Sequence, residues 1–124
     1  MSKKTGYVYW ANSRKIDKTD KKPRRQYVVV RDNGKYVKVS KIRGFNENDK
    51  NKNRLYILDM KKYPLTKPSG VDKKIYFYRA DNNKLLTLKD KQVFDEIPVF
   101  GLTGRDFHRT LKHVGLFEKR KGRR

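Results

Sequence analysis

Cysteine is absent from this chain of 124 residues, which excludes disulfides and thiolate metal sites and gives no sign of an oxidising compartment. Long apolar runs are missing as well. None approaches the length of a membrane-spanning helix, and residues 1–20 hold no apolar signal-peptide core. The expectation is a cytoplasmic protein with no membrane partner. Phosphate loops of the GxxxxGK[ST] kind and GxGxxG fingerprints are absent, so nucleotide cofactors find no support. There is no nucleophilic Cys, and no Ser elbow with its base. The two histidines, His108 and His113, are five apart on a predicted helix and have no acidic neighbour of ligand type. They read as surface residues, and no metal or cofactor is expected.

Acidic residues are scarce. Thirteen Asp+Glu face 34 Lys+Arg, a formal net charge of +21. Such a surface attracts polyanions and repels copies of itself. A mean hydropathy of −1.07 would fit a disordered chain. Against that stand eight Tyr, six Phe and one Trp set in patterned apolar runs. The reading is an ordered core with a very basic exterior. The length fits one domain, 1–124, with a basic extension over 1–5, a folded body over 6–116 and a basic tail over 117–124.

Gly6 to Ala11 is short, aromatic and β-prone, and predicts a strand. Residues 12–24 are polar and charged and read as a long exposed loop. Arg25 to Val30 is the clearest strand, and its run of three Val predicts burial on both faces. Asp32-Asn33-Gly34 supplies hairpin chemistry, and Tyr36 to Ile42 returns. Along that return strand Val37, Val39 and Lys41 point one way, and Tyr36, Lys38, Ser40 and Ile42 the other. Residues 43–54 form a second loop, and Leu55 to Leu58 a further strand. Pro64 and Pro68 mark an irregular or edge segment. Gly70 to Tyr78 reads as one strand, Asp81-Asn82-Asn83 as a turn, and Leu85 to Leu88 as strand or helical turn. Phe94 and Ile97 to Phe100 give a short β-like piece. The last element is a helix. Thr103 is its N-cap, Asp106 lies in its first turn, and Phe107, Leu111 and Val114 form an apolar stripe. Gly115 closes it. The sum is a mainly β fold with a C-terminal helix, a strongly curved antiparallel sheet or half-open barrel.

Basic and aromatic residues carry what chemistry there is. Arg24 and Arg25 precede the central strand, Arg43 follows its hairpin partner, and Lys73 and Lys74 begin a strand that ends in Tyr and Phe. Guanidinium groups fit phosphate bidentately, and aromatic faces stack bases. Tyr27, Phe77 and Phe107 are expected in the core. By segment, residues 1–25 carry nine Lys/Arg against two acids, and residues 105–124 eight against two. The charge excess is concentrated at the two ends of the chain.

The order of elements resembles the MazF/PemK-type toxins, small endoribonucleases of toxin–antitoxin pairs. GYVYWA, the loop 12–24 and RRQYVVV follow the family's opening, with Gln26 where Pro is usual. GKYVKVSKIRG follows as turn and strand. LYILDMKKYPLTKPSGV places Leu65, Ser69 and Val71 as expected, and VFGLTGRDFHRTLKHV has the style of the family's ending. The resemblance implies a small SH3-like barrel with a terminal helix. It also implies a homodimer whose groove binds single-stranded RNA, and an acidic antitoxin as protein partner. The family's catalytic Arg falls on Arg25. Its catalytic Thr falls on Arg43, with the hydroxyl of Ser40 nearby. Of the family's later Arg and Asp, Lys73 takes the first position and Ile75 the second. The implied site is therefore Arg25, Arg43 and Ser40 for catalysis, with Arg24, Arg25, Arg43, Ser69, Lys73 and Lys74 binding RNA. The alternative is a noncatalytic RNA- or DNA-binding module of a mobile element, phage or ribosome on the same barrel. A third reading is a basic groove that binds an acidic protein.

Overall fold

The computed structural model describes residues 5–34, 36–46, 48, 50, 52–79 and 93–116. Strand β1 (Tyr7–Asn12) leads into a one-turn helix α1 (Ser13–Ile16). Strands β2 (Arg24–Asp32) and β3 (Tyr36–Gly44) follow, then β4 (Leu55–Ile57), β5 (Ser69–Asp72), β6 (Tyr76–Arg79), β7 (Phe100–Gly101) and helix α2 (Gly104–His113). The strands pair antiparallel in the order β4-β5-β3-β2-β1-β7, and β6 also pairs with β3. The expected turn at 81–83, the expected element at 85–88 and the basic tail lie outside the described residues. Among the described residues, no helix is long and apolar enough to cross a membrane.

Strand β3 is what curls the sheet. Its first half, Tyr36 to Val39, pairs with β6, and its second half, Ile42 to Gly44, pairs with β5. One strand handing its edge from one neighbour to the next turns the sheet into a strongly curled half-barrel. Beside it, the β2–β3 register shifts between Val29 and Arg31, an irregularity that adds local bend.

The Val-rich strand is buried on both faces, as its sequence predicts. Tyr27 and Val29 join Tyr9, Ala11, Val37, Val39 and Phe94 in one core cluster. Val28 and Val30 join Val8, Ile42, Leu58, Tyr63, Val71 and Val114 in the other. Gly34 turns the β2–β3 hairpin at φ +86, a backbone state that disfavours side chains.

Helix α2 starts where expected. The Thr103 side chain accepts from the Asp106 N–H, and the Asp106 carboxylate accepts from the hydroxyls of Tyr56, at 2.7 Å, and Tyr63. Val114 and Leu111 pack on the second cluster. The buried stripe also contains Asp106 and Thr110, which apolar periodicity does not show.

Three expectations about the elements are corrected. The loop expected over 43–54 is shorter, since β3 runs through Gly44 and Lys52–Arg54 form a 3-10 turn. Gly70 to Tyr78 is not one strand. It breaks between Asp72 and Tyr76, where Asp72 accepts from the Lys74 N–H at 3.1 Å and turns the chain. The loop 12–24 is not wholly exposed. It contains α1, and Ser13 and Asp20 are buried within it.

Candidate nucleic-acid interface

Antiparallel pairing sets Trp10 opposite Gln26, Ala11 opposite Arg25 and Asn12 opposite Arg24. The two arginines at the head of β2 therefore diverge, because successive strand residues face opposite ways. Arg24 lies on the Trp10 side, its guanidinium carbon 6.0 Å from the indole centroid. It also makes a two-pronged ion pair with Asp95 at 2.8 and 2.9 Å, near the surface.

Arg25 turns toward the loop. Its Nε donates to Asp20 at 2.6 Å, and Lys41 Nζ reaches the same carboxylate at 2.9 Å and Asp17 at 3.0 Å. Lys41 also lies 4.9 Å from the Tyr76 ring centroid. The Asp20 side chain is only 1% exposed. Burial alone would raise its pKa, but hydrogen bonds from Arg25, Lys41 and the Lys22 backbone N–H outweigh it and hold it at about 2. The Thr19 hydroxyl, then Lys41, holds Asp17 well below the usual carboxylate range. Burial opposes the charge on Lys41, yet its two carboxylate partners push its pKa above the usual lysine value. Beneath this network Tyr27 is fully buried, and burial raises its phenol to about 12.

Two clefts meet at Arg25. The first has a volume of about 260 Å³. Trp10, Gln26, Leu65 and Ser69 contribute to its walls, with the cations Lys22, Arg24, Arg25 and Lys67 and no carboxylate. The second, about 280 Å³, holds Asp17, Asp20 and Asp72 together with Lys21, Arg25, Lys41, Arg43 and Tyr76. Every carboxylate of the second cleft is engaged. Asp72 accepts from Arg43 at 3.0 Å as well as from Lys74, and these contacts lower its pKa against the effect of burial. Among the described residues, no group of three or more His, Asp or Glu could hold a metal ion.

The residues singled out in the sequence fall into distinct places. Arg24, Arg25 and Ser69 share the first cleft, and Arg25 and Arg43 share the second. Ser69 is buried and donates to the Lys67 carbonyl at 2.9 Å. Ser40 is fully buried, and its hydroxyl donates to the Lys74 carbonyl at 3.0 Å, tying the start of β6 to β3. In that position it lines neither of these two clefts. Lys73 lines neither cleft, while Lys74 reaches the Tyr76 ring at 4.9 Å. Sequence reasoning missed Trp10, Lys22 and Lys67 in the first cleft, and Asp17, Asp20, Lys41 and Tyr76 in the second. A signal existed in Lys41, which strand alternation turns inward. A lysine facing the core requires acidic company, and Asp17 and Asp20 are the acids of the loop before β2.

No protein-family model matches the chain, and no curated protein is significantly similar to it.

Proposed function

We propose that this chain binds single-stranded nucleic acid, RNA foremost, along the first cleft. The observation that carries the reading is that cleft's lining. Four cations and an indole, with no carboxylate among the lining residues, line one cleft of a chain at +21. A backbone of phosphates follows the cations while a base stacks on Trp10, which is 39% exposed. The curled half-barrel is compatible with the SH3-like barrel that the family resemblance implies, and that resemblance favours RNA.

A second reading, metal-independent cleavage of the bound RNA, is favoured by Arg25. Among the described residues only its Nε is taken, so its two terminal nitrogens are left for a phosphate where the clefts meet. In such cleavage the ribose 2′-oxygen attacks the adjacent phosphorus and the bond to the 5′-oxygen breaks. The products are a 2′,3′-cyclic phosphate and a free 5′-hydroxyl. One group takes the 2′-hydroxyl proton and another gives a proton to the leaving oxygen. Arg25 suits the developing charge on phosphorus oxygens. Asp17, Asp20 and Asp72 are held ionised at low pKa by their partners and are weak bases, so binding is the better supported function.

Trp10 is the sole tryptophan, and its emission reports on the cleft. Titration with a short RNA oligonucleotide in EDTA should quench it, and Arg25→Ala should weaken the quench. Appearance of cyclic-phosphate ends, abolished by Arg25→Ala, would establish cleavage. RNA that is bound and stays intact would establish binding alone. Emission that no nucleic acid alters, but an acidic protein does, would overturn both.

A further inference from the structure

Phe77 does not fill the core as its sequence context predicts. It is 56% exposed on β6. Its strand neighbours Tyr76 and Tyr78 pack on the first core cluster, as do Val37 and Val39 of β3. Alternation therefore turns Tyr36, Lys38, Phe77 and Arg79 to the opposite face.

The register makes these four a checkerboard. Lys38 lies opposite Phe77, and Tyr36 lies opposite Arg79. The two rings meet on the diagonal, with centroids 5.4 Å apart and planes tilted by 48°. Lys38 Nζ lies 4.9 Å from the Phe77 centroid and 5.9 Å from that of Tyr36. On its other side Lys38 lies opposite Arg31 of β2. A phenylalanine more than half in water contributes little to folding. A large ring left more than half in water on a sheet face departs from the usual burial of phenylalanine, and such departures point to a functional place.

We propose that Tyr36, Lys38, Phe77 and Arg79 form a second contact for single-stranded nucleic acid, a platform on which bases stack while Lys38 and Arg79 meet the flanking phosphates. The proposal rests on the nucleic-acid reading above. Charge complementarity selects this occupant. The patch alternates π faces with cations, the pattern that accepts a base and its phosphate together. A second copy of the chain would bring another +21 to the same place. Lys38 lies across from Arg31, five positions along β2 from Gln26 at the first cleft, or roughly 17 Å along the strand. A strand long enough to occupy both places binds the second at high effective concentration.

The test uses the full chain and two reporters. In the unaltered protein Trp10 reports on the first cleft. In the double variant W10F/F77W the sole tryptophan reports on the platform. A pyrimidine RNA oligonucleotide of about sixteen nucleotides should quench both. In a chain keeping Trp10, Phe77→Ala should weaken binding of that oligonucleotide about tenfold, while a tetranucleotide quenches Trp10 as before. Phe77 is exposed, so neither change threatens the fold. If Trp10 responds and the platform tryptophan does not, the platform is overturned and the cleft stands. Platform emission that changes with protein concentration alone would show self-association and also overturn it. If neither reporter responds, and the oligonucleotide stays free, the nucleic-acid reading itself fails.

Discussion

Arg25 Nε and the Asp20 carboxylate meet at 2.6 Å, the acid all but buried and the guanidinium one-fifth exposed. Asp20 is also a partner of Lys41, so one carboxylate balances two cations. Asp20→Asn should therefore leave Arg25 without its carboxylate and Lys41 with Asp17 alone. The expected loss is about 3 kcal/mol of folding stability, the lower end for a broken buried pair, because Arg25 keeps some solvent. Urea unfolding of the variant checks this. A midpoint equal to that of the unaltered chain would show that the pair does not hold the loop.

The same network sets a pH dependence. Asp17, Asp20, Asp72 and Asp106 all have folded pKa values below their ordinary ones. Each contributes stability above its unfolded pKa and loses it as pH falls through the folded one. Stability should thus be level near neutrality and decline between about pH 5 and pH 2. At the alkaline end the signs reverse. Lys41 and Tyr27 have raised pKa values, so their contribution is present below the unfolded values and fades as pH climbs beyond about 10. Denaturant melts across pH, with tyrosinate absorbance for the alkaline limb, read both ends. A stability maximum below pH 4 would contradict the network.

Tyr27 offers a substitution with an unusual sign. Its ring is fully buried, and its hydroxyl has no hydrogen-bond partner among the described residues. A buried donor left unpaired costs about 1–3 kcal/mol. Tyr27→Phe keeps the packing and removes that cost. Thermal melting should show the variant equal to, or about 1 kcal/mol more stable than, the unaltered chain. A clear loss would mean that the hydroxyl is engaged.

Binding in the first cleft should be steeply salt-dependent. Four cations line it, and single strands release roughly 0.7 counterion per phosphate neutralised. The log–log slope of affinity against salt is expected at about −3. Arg24→Ala should bring it closer to zero by roughly one. Because Arg24 also stacks on Trp10, this variant should shift the tryptophan emission before any ligand is added. A slope near zero in the unaltered chain would refute a phosphate-lined cleft.

Local rules foretold the parts that depend on local chemistry. The triple-Val strand, the Gly34 hairpin and the Thr103 cap occur as the sequence indicates. Arg24 and Arg25 were visible because they head that strand. What was not legible depends on contacts between distant residues. Asp20 reads as a loop acid, and only Arg25 and Lys41 make it a buried one. Ser40 reads as a hydroxyl beside the site, and only its place against Lys74 shows it engaged in the interior. Phe77 reads as core because it is apolar and flanked by Tyr. Its exposure follows from β6 pairing with β3 in a register that turns Tyr76 and Tyr78 inward instead.

The Asp20 clamp has an entropic side. A free arginine loses about 0.5–1.5 kcal/mol of conformational freedom when a ligand immobilises it. Arg25 has already lost much of that freedom on folding, since Asp20 fixes its Nε and with it the plane of the guanidinium. A phosphate bound there, as proposed above, would meet a guanidinium already held at one orientation. On the nucleic-acid reading proposed above, the clamp would both fix where along a strand the backbone lies and lower the entropic cost of holding it there.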